Sequence, residues 1–167
     1  QWLHYSQIST CVEIGSSLEQ HNRSLYLVSV EQLEHGGLIE SWRACDIDLT
    51  PVLTVQARVT QSVKDSVYPI VSDRGQTAGL YAEQVYLSGP IAELWGVNMD
   101  HSSIDPFPTE ASDPRIFDSD GDGNPGVTLL VGSACEAYII QRRLSQYAGH
   151  FVQPDRIEGE AISVTEQ

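Results

Sequence analysis

The chain has 167 residues, which suits one domain over residues 1–167 and is long enough to bury a real core. With 9 Lys and Arg against 23 Asp and Glu, its formal net charge of -14 argues against nucleic acid or an anionic membrane as partner, because both carry the same sign. Hydrophobic residues make up 41% of the chain, too many for wholesale disorder, yet no run approaches the roughly 18 apolar residues of a membrane helix.

Trp2, Ile8, Val12 and Ile14 share one parity and predict a first strand, ending at Gly15, Ser16 and Ser17. Leu25 to Val30 predicts a compact buried strand entered through a polar turn at His21, Asn22 and Arg23. Asn22-Arg23-Ser24 also fits a glycosylation sequon, but a plain turn is the simpler reading. After a break at His35, Gly36 and Gly37, Trp42 and Ala44 lie on one face of the next stretch and Cys45, Ile47 and Leu49 on the other. That pattern predicts a strand covered on both sides or meeting a partner. Beyond Pro51, Leu53, Val55, Ala57 and Val59 alternate with Thr54, Gln56, Arg58 and Thr60, as in a half-buried strand.

Residues 63 to 70 read as an extended piece that Pro69 confines to an edge or a turn. Asp73 to Gln76 reads as a turn and Leu80 to Leu87 as a strand. Pro90, followed by Ile91 to Val97 with Gly96 near the end, predicts one or two helical turns, a strand being the competing reading. Residues 100 to 117 hold Pro106, Pro108 and Pro114 with Asp100, Asp105, Glu110 and Asp113, and no periodicity, so a long acidic loop is expected. Val127 to Val131 and Ala137 to Leu144 predict two strands joined through Gly132, Ser133 and Ala134, with Arg142 and Arg143 where the second reaches water. Ile157 begins a last strand whose apolar phase changes at Gly159, as at a bulge. Many short strands without a long amphipathic helix predict an all-β fold, an antiparallel β-barrel with a β-sandwich as the alternative.

The segment that organises the chain closes the acidic loop. Asp118, Asp120, Asp122 and Gly123 fill positions one, three, five and six of a Ca²⁺ loop of EF-hand type, where side-chain oxygens converge on one hard cation and glycine makes the sharp turn. Asn124, next along the loop, completes the candidate ligand set. At position twelve, where that loop needs a bidentate Glu, stands Leu129, and the residues after it read as a strand. An EF-like Ca²⁺ loop set between strands is therefore expected, with a companion ligand from Asp100, Asp105, Glu110 or Asp113. A solvated acidic turn is the plainer alternative.

The run Asp113-Pro114-Arg115-Ile116-Phe117 leads into Asp118-Ser119-Asp120-Gly121-Asp122-Gly123-Asn124-Pro125-Gly126-Val127-Thr128. With Gln141-Arg142-Arg143 and Arg156-Ile157-Glu158-Gly159 downstream, it resembles a group of largely uncharacterised bacterial secreted or lipid-anchored β-rich proteins that share a D-x-D-G-D-G-x-P-G-V-T loop. The resemblance covers mainly residues 113 to 160 and implies export and an acidic cation loop; it brings no catalytic residues.

Cys11, Cys45 and Cys135 lack C-x-x-C spacing; in an oxidising compartment they predict one disulfide and one thiol left over, with buried thiols as the alternative. The chain opens without Met and mid-pattern, as expected of the mature part of a longer precursor, and Ca²⁺ outside the cell would fill a loop of modest affinity. Motifs for a serine nucleophile elbow, a zinc protease and a phosphate loop are absent, and Gly132-Ser133-Ala134-Cys135 reads as a small-residue turn. The histidines are dispersed, His101 beside Asp100 being the one of interest. These features predict a secreted or cell-surface, Ca²⁺-binding structural or self-assembly module without catalytic activity, self-associating through terminal strands at Trp2 and at Ile162 to Val164. The alternatives are a lipocalin-like barrel for a small apolar ligand and a hydrolase with an acidic site.

Overall fold

The computed structural model describes residues 2–13, 17–32, 34, 37–49, 57–71, 78–81, 85–133, 135–153 and 156–167. In chain order these form β1 (Trp2–Glu13), β2 (Ser17–Gln32), β3 (Gly37–Asp48), β4 (Ala57–Val59), α1 (Gln61–Ser66), β5 (Tyr68–Val71), β6 (Ala78–Tyr81) and β7 (Val85–Leu87). There follow β8 (Ile91–Trp95), β9 (Val127–Val131), β10 (Cys135–Ile139), β11 (Gln141–Gln153) and β12 (Arg156–Glu166). The turn expected at residues 73 to 76, the first half of the strand expected after Pro51, and the breaks at Gly15 and at His35 and Gly36 lie outside the described residues.

Strand pairing is antiparallel throughout the two sheets, so the fold is all-β as expected. The larger sheet runs β1-β2-β3-β6-β7-β11-β8-β5, with β12 on the other edge of β11; the smaller is β10-β9-β4. No pairing among the described residues returns β1 to β12 or β5, and the strand order stays open. In a flat sheet β1 and β11, five steps apart, would stand about 24 Å from each other. Instead the His4 ring of β1 lies 4.7 Å from the Tyr147 ring of β11, and Trp42 of β3 stacks on Tyr147 at 5.5 Å. The sheet therefore curls until its first three strands face β11 across a common interior. Tyr26, Val28, Trp42, Tyr86, Ile91, Trp95 and Tyr147 fill that interior, and Val127 and Leu129 of the smaller sheet join the same core.

Bulges, which add local twist, account for patterns that alternation alone misreads. Leu25 pairs with Asp46 but Tyr26 with Ala44, which leaves Cys45 as an extra residue in β3. The extra residue shifts the phase, so Trp42, Ala44 and Ile47 enter one core and Leu49 packs against it. The expectation of a strand apolar on both faces is corrected accordingly. β7 and β8 are one interrupted strand along β11, with Ser88, Gly89 and Pro90 set against Gln146 and Tyr147. Ser88 makes good the interruption: its N–H donates to the Tyr147 carbonyl at 2.9 Å, and its Oγ accepts the Tyr147 N–H at 2.8 Å. The segment after Pro90 is accordingly a strand rather than helical turns. In β12 the expected bulge at Gly159 is absent, for Gly159 pairs with Gly149, and the irregularity lies at Val152 in β11.

Other expectations change for reasons of packing. β2 runs straight through His21 to Arg23, where a turn was expected. Residues 61–66 are helical because Thr60 caps them, its Oγ1 accepting the Val63 N–H at 3.3 Å, and because Val63 and Val67 at 0% and 1% exposure anchor one side. Only from Tyr68 is that stretch extended, and Pro69 sits in β5, which among the described residues pairs with β8 alone, as proline requires. Cys45 and Cys135 are free and exposed, so neither is a buried thiol and they do not bridge one another; nothing is described of the Cys11 side chain.

Burial, with the Arg143 charge adding to it, pulls the His4 pKa down to about 4, and its Nε2 is buried without a hydrogen-bond partner. Folded His4 thus stays neutral while the unfolded chain takes up a proton below its usual pKa of 6.5. Stability is lost as pH falls through that window, by about 3 kcal/mol at about 1.4 kcal/mol per unit. His4→Phe keeps the ring packing and removes the proton. Denaturant unfolding measured at pH 7 and pH 4 should show that variant losing about 3 kcal/mol less than the wild type.

Candidate metal centre

Residues 96–126 connect β8 to β9, and the chain's own geometry makes this long segment ordered. Arg115 holds its first half: its Nε and Nη2 donate to the two oxygens of Asp113 at 2.9 and 2.7 Å, and its Nη1 to the Pro106 carbonyl at 2.7 Å. The guanidinium bonds hold the Asp113 carboxyl down at about 2. Arg142 of β11 reaches the same segment from the sheet, donating to the carbonyls of Ser102 at 3.3 Å and Asp105 at 2.5 Å and lying 5.6 Å from the Phe107 ring centre. Its Nε donates to Glu166 of β12 at 2.6 Å. Arg142 is 6% exposed and the Arg143 side chain 11%, which corrects the expectation that these two reach water.

The second half is a closed loop. The Phe117 N–H donates to the Gly96 carbonyl at 3.2 Å, the Gly126 N–H to the Phe117 carbonyl at 3.0 Å, and Asp118 and Gly126 form a parallel bridge that brings the loop ends together. Within it, one Asp118 oxygen accepts the N–H groups of Gly121 and Asp122 at 2.8 and 3.2 Å, and the other accepts that of Gly123 at 2.8 Å. Gly121 and Gly123 take positive φ of 76° and 93°, which lets successive N–H groups turn inward to one carboxylate. These backbone bonds, that from Gly123 foremost, hold the Asp118 pKa below the ordinary carboxylate range.

Asp118, Asp120 and Asp122 each offer an oxygen within 4.8 Å of the others. Oxygens on opposite sides of one Ca²⁺ stand about 4.6–5.2 Å apart, so the spacing suits a single ion. No ion pair among the described residues reaches the three carboxylates. Asp120 Oδ2 accepts the Thr128 N–H at 3.1 Å, while its Oδ1 is buried with no hydrogen-bond partner. Asp122 Oδ1 accepts the Asn124 N–H at 2.8 Å, and the Asp122 pKa is lowered by the Thr128 hydroxyl first and by Asn124 next. Of the expected companions, none joins the triplet: Asp113 is taken by Arg115, and Asp105 pairs with His101 at 3.5 Å, so His101 answers to Asp105 and not to Asp100.

A second polar constellation lies inside the curled sheet, and alternation alone did not find it. Arg143 donates to Glu93 and to the Tyr26 hydroxyl at 2.6 Å each, Tyr26 donates to the same Glu93 oxygen, and Trp95 Nε1 donates to the other at 3.0 Å. Burial would lower the Arg143 pKa, but the charge of Glu93 and the neighbouring phenols raises it above the ordinary value. Glu40, on β3, accepts from the Tyr86 hydroxyl at 2.9 Å and from Trp42 Nε1 at 3.3 Å, no ion pair among the described residues reaches it, and burial raises its pKa. The available signal was a lone carboxylate in the apolar run Ile91-Ala92-Glu93-Leu94-Trp95, on the face shared by Ile91 and Trp95.

Comparison with known protein families, with curated proteins and with solved structures finds nothing that matches this chain.

Gly126 takes a φ of 89°, and a Cβ there would run into the Ile139 carbonyl of β10, whereas one on Gly121 would meet nothing within 4 Å. Gly121→Ala should cost only the left-handed backbone penalty, about 1–2 kcal/mol. Gly126→Ala adds the clash, and its unfolding midpoint in denaturant should fall clearly below that of Gly121→Ala.

Proposed function

We propose that this chain is a Ca²⁺-binding structural module of the secreted or cell-surface kind, stabilised by the ion and without catalytic activity. The observation that carries the reading is the gathering of Asp118, Asp120 and Asp122 with no basic partner among the described residues and with one Asp120 oxygen buried and unpaired. Three carboxylates so close repel one another, and a hard divalent cation with oxygen ligands removes that cost. A flexible set of carboxylates and carbonyls suits Ca²⁺ better than the smaller, stricter Mg²⁺, and Asn124 stands at loop position seven, where such a loop supplies a backbone carbonyl. Abundant Ca²⁺ outside the cell supports the extracellular placement.

Within the all-β class we read the architecture as a barrel left open, supported by one continuous hydrogen-bonded path from β1 to β11 that curls onto itself. An interior holding a buried ion pair and stacked aromatic rings speaks against a cavity for an apolar ligand. Self-association belongs to the same proposal: β1 and β12 each have one paired edge among the described residues and carry exposed Leu3 and Tyr5, and Ile162 and Val164. The phase shift at Cys45 withdraws the separate argument from an outer apolar face near Trp42.

Chelation should lower the melting temperature and added Ca²⁺ restore it, by about 2.7 kcal/mol of linkage with free ion at about a hundred times its dissociation constant. Asp120→Asn keeps an acceptor for the Thr128 N–H and should abolish the response to Ca²⁺ while the chelated protein still folds. Identical melting curves with and without Ca²⁺ in the wild type remove the reading. Light scattering on the Ca²⁺-loaded chain tests the association, which a monomer across the micromolar range would exclude.

A further inference from the structure

Two buried oxygens of residues that meet where the acidic loop joins β9 lack hydrogen-bond partners. One is Asp120 Oδ1; the other is Oγ1 of Thr128, a residue 5% exposed at the start of β9. The Thr128 N–H binds the other oxygen of the same Asp120 at 3.1 Å, so this residue's backbone is fixed against the triplet. Its hydroxyl neighbours the Asp122 carboxylate but stays beyond hydrogen-bond distance of it. A buried hydroxyl left unpaired costs free energy, and a strand residue such as Thr128 has a ready replacement in valine of the same shape. The loop also lacks its twelfth-position carboxylate, since Leu129 stands there, 8% exposed and packed in the core.

We infer that the Thr128 hydroxyl is a further ligand of the cation held by Asp118, Asp120 and Asp122, supplying from β9 the oxygen that the missing twelfth-position carboxylate would have given. The inference rests on the proposed Ca²⁺ reading of the triplet. It makes the site strand-anchored: Thr128 lies opposite Tyr138 in the β9–β10 pair, and its neighbour Leu129 pairs with Val59 of β4, so ion binding acts directly on the smaller sheet. A turn carrying only its own three carboxylates would have no such hold.

Thr128→Val separates ligation from packing, because the two states respond in opposite senses. Without metal, the variant loses only an unpaired buried hydroxyl, and its melting temperature in chelator should equal or exceed the wild-type value. With metal it loses a ligand, and calorimetric titration of the whole chain with Ca²⁺ should show binding weakened about tenfold or more, given that even outer-shell partners are worth about 10–100-fold. Thr128→Ser, which restores the oxygen, should return to within about threefold of the wild type. Wild-type affinity in Thr128→Val overturns the inference, as does weakened binding accompanied by an equal loss of stability in chelator. A wild-type chain that takes up no Ca²⁺ in the same titration removes the triplet reading itself, and this one with it.

Discussion

Consecutive residues of a strand point to opposite faces, and in β11 the two are both arginines. Arg143 faces inward, where a guanidinium is tolerable only against an anion, and Glu93 of the adjacent β8 provides it at 2.6 Å. Arg142 faces outward and is covered by the segment that follows β8, whose carbonyls it binds. Interior and loop are thus set by one pair of neighbours. A slip of one residue would send Arg143 into the loop and Arg142 into the core, so this dipeptide specifies the register of β8, β11 and β12 more strictly than apolar alternation does.

The inner ion pair is better understood as a device of specificity than of stability. Two charges taken from water recover little more than their desolvation cost, and apolar residues of equal volume do as well or better. What the pair does here is geometric. Glu93 is satisfied by Trp95 of its own strand, by Arg143 of the neighbouring β11 and by Tyr26 of β2, which a flat sheet would hold far from both, so the network closes only when the sheet has curled. His4 of β1 meets the stacked Trp42 and Tyr147 rings edge-on at 4.6 and 4.7 Å, which ties the edge strand to the same interior.

The acidic loop shows the opposite economy. Its turn is made by Asp118 gathering three backbone N–H groups, and its ends are joined by the bridge of Asp118 with Gly126. Asp120 lies where the loop meets β9, one of its oxygens on the Thr128 N–H and the other buried without a hydrogen-bond partner. Gly126 lies so close to the Ile139 carbonyl that no side chain fits, which ties the loop to the β9–β10 pair.

Much of this was legible in the chain as a string. The gathering of Asp118, Asp120 and Asp122 could be read because they lie within a few residues, where spacing is geometry, and β9 could be read because its apolar run is nearly uninterrupted. The same holds for the edge position of Pro69, since a missing N–H is a local fact. Phase, by contrast, is lost wherever an extra residue enters, so Cys45 made one inner face look like two. The helix at 61–66 took its stability from the burial of Val63 and Val67, which no short window contains. Arg143 looked solvated because its partner lies 50 residues away in the sequence. Thr128 looked like an ordinary strand residue because its unpaired oxygen exists only once β9 is folded against Asp120. Local spacing determined which carboxylates gather, whereas burial and long-range pairing, which only the tertiary structure creates, decided which side chains surround them.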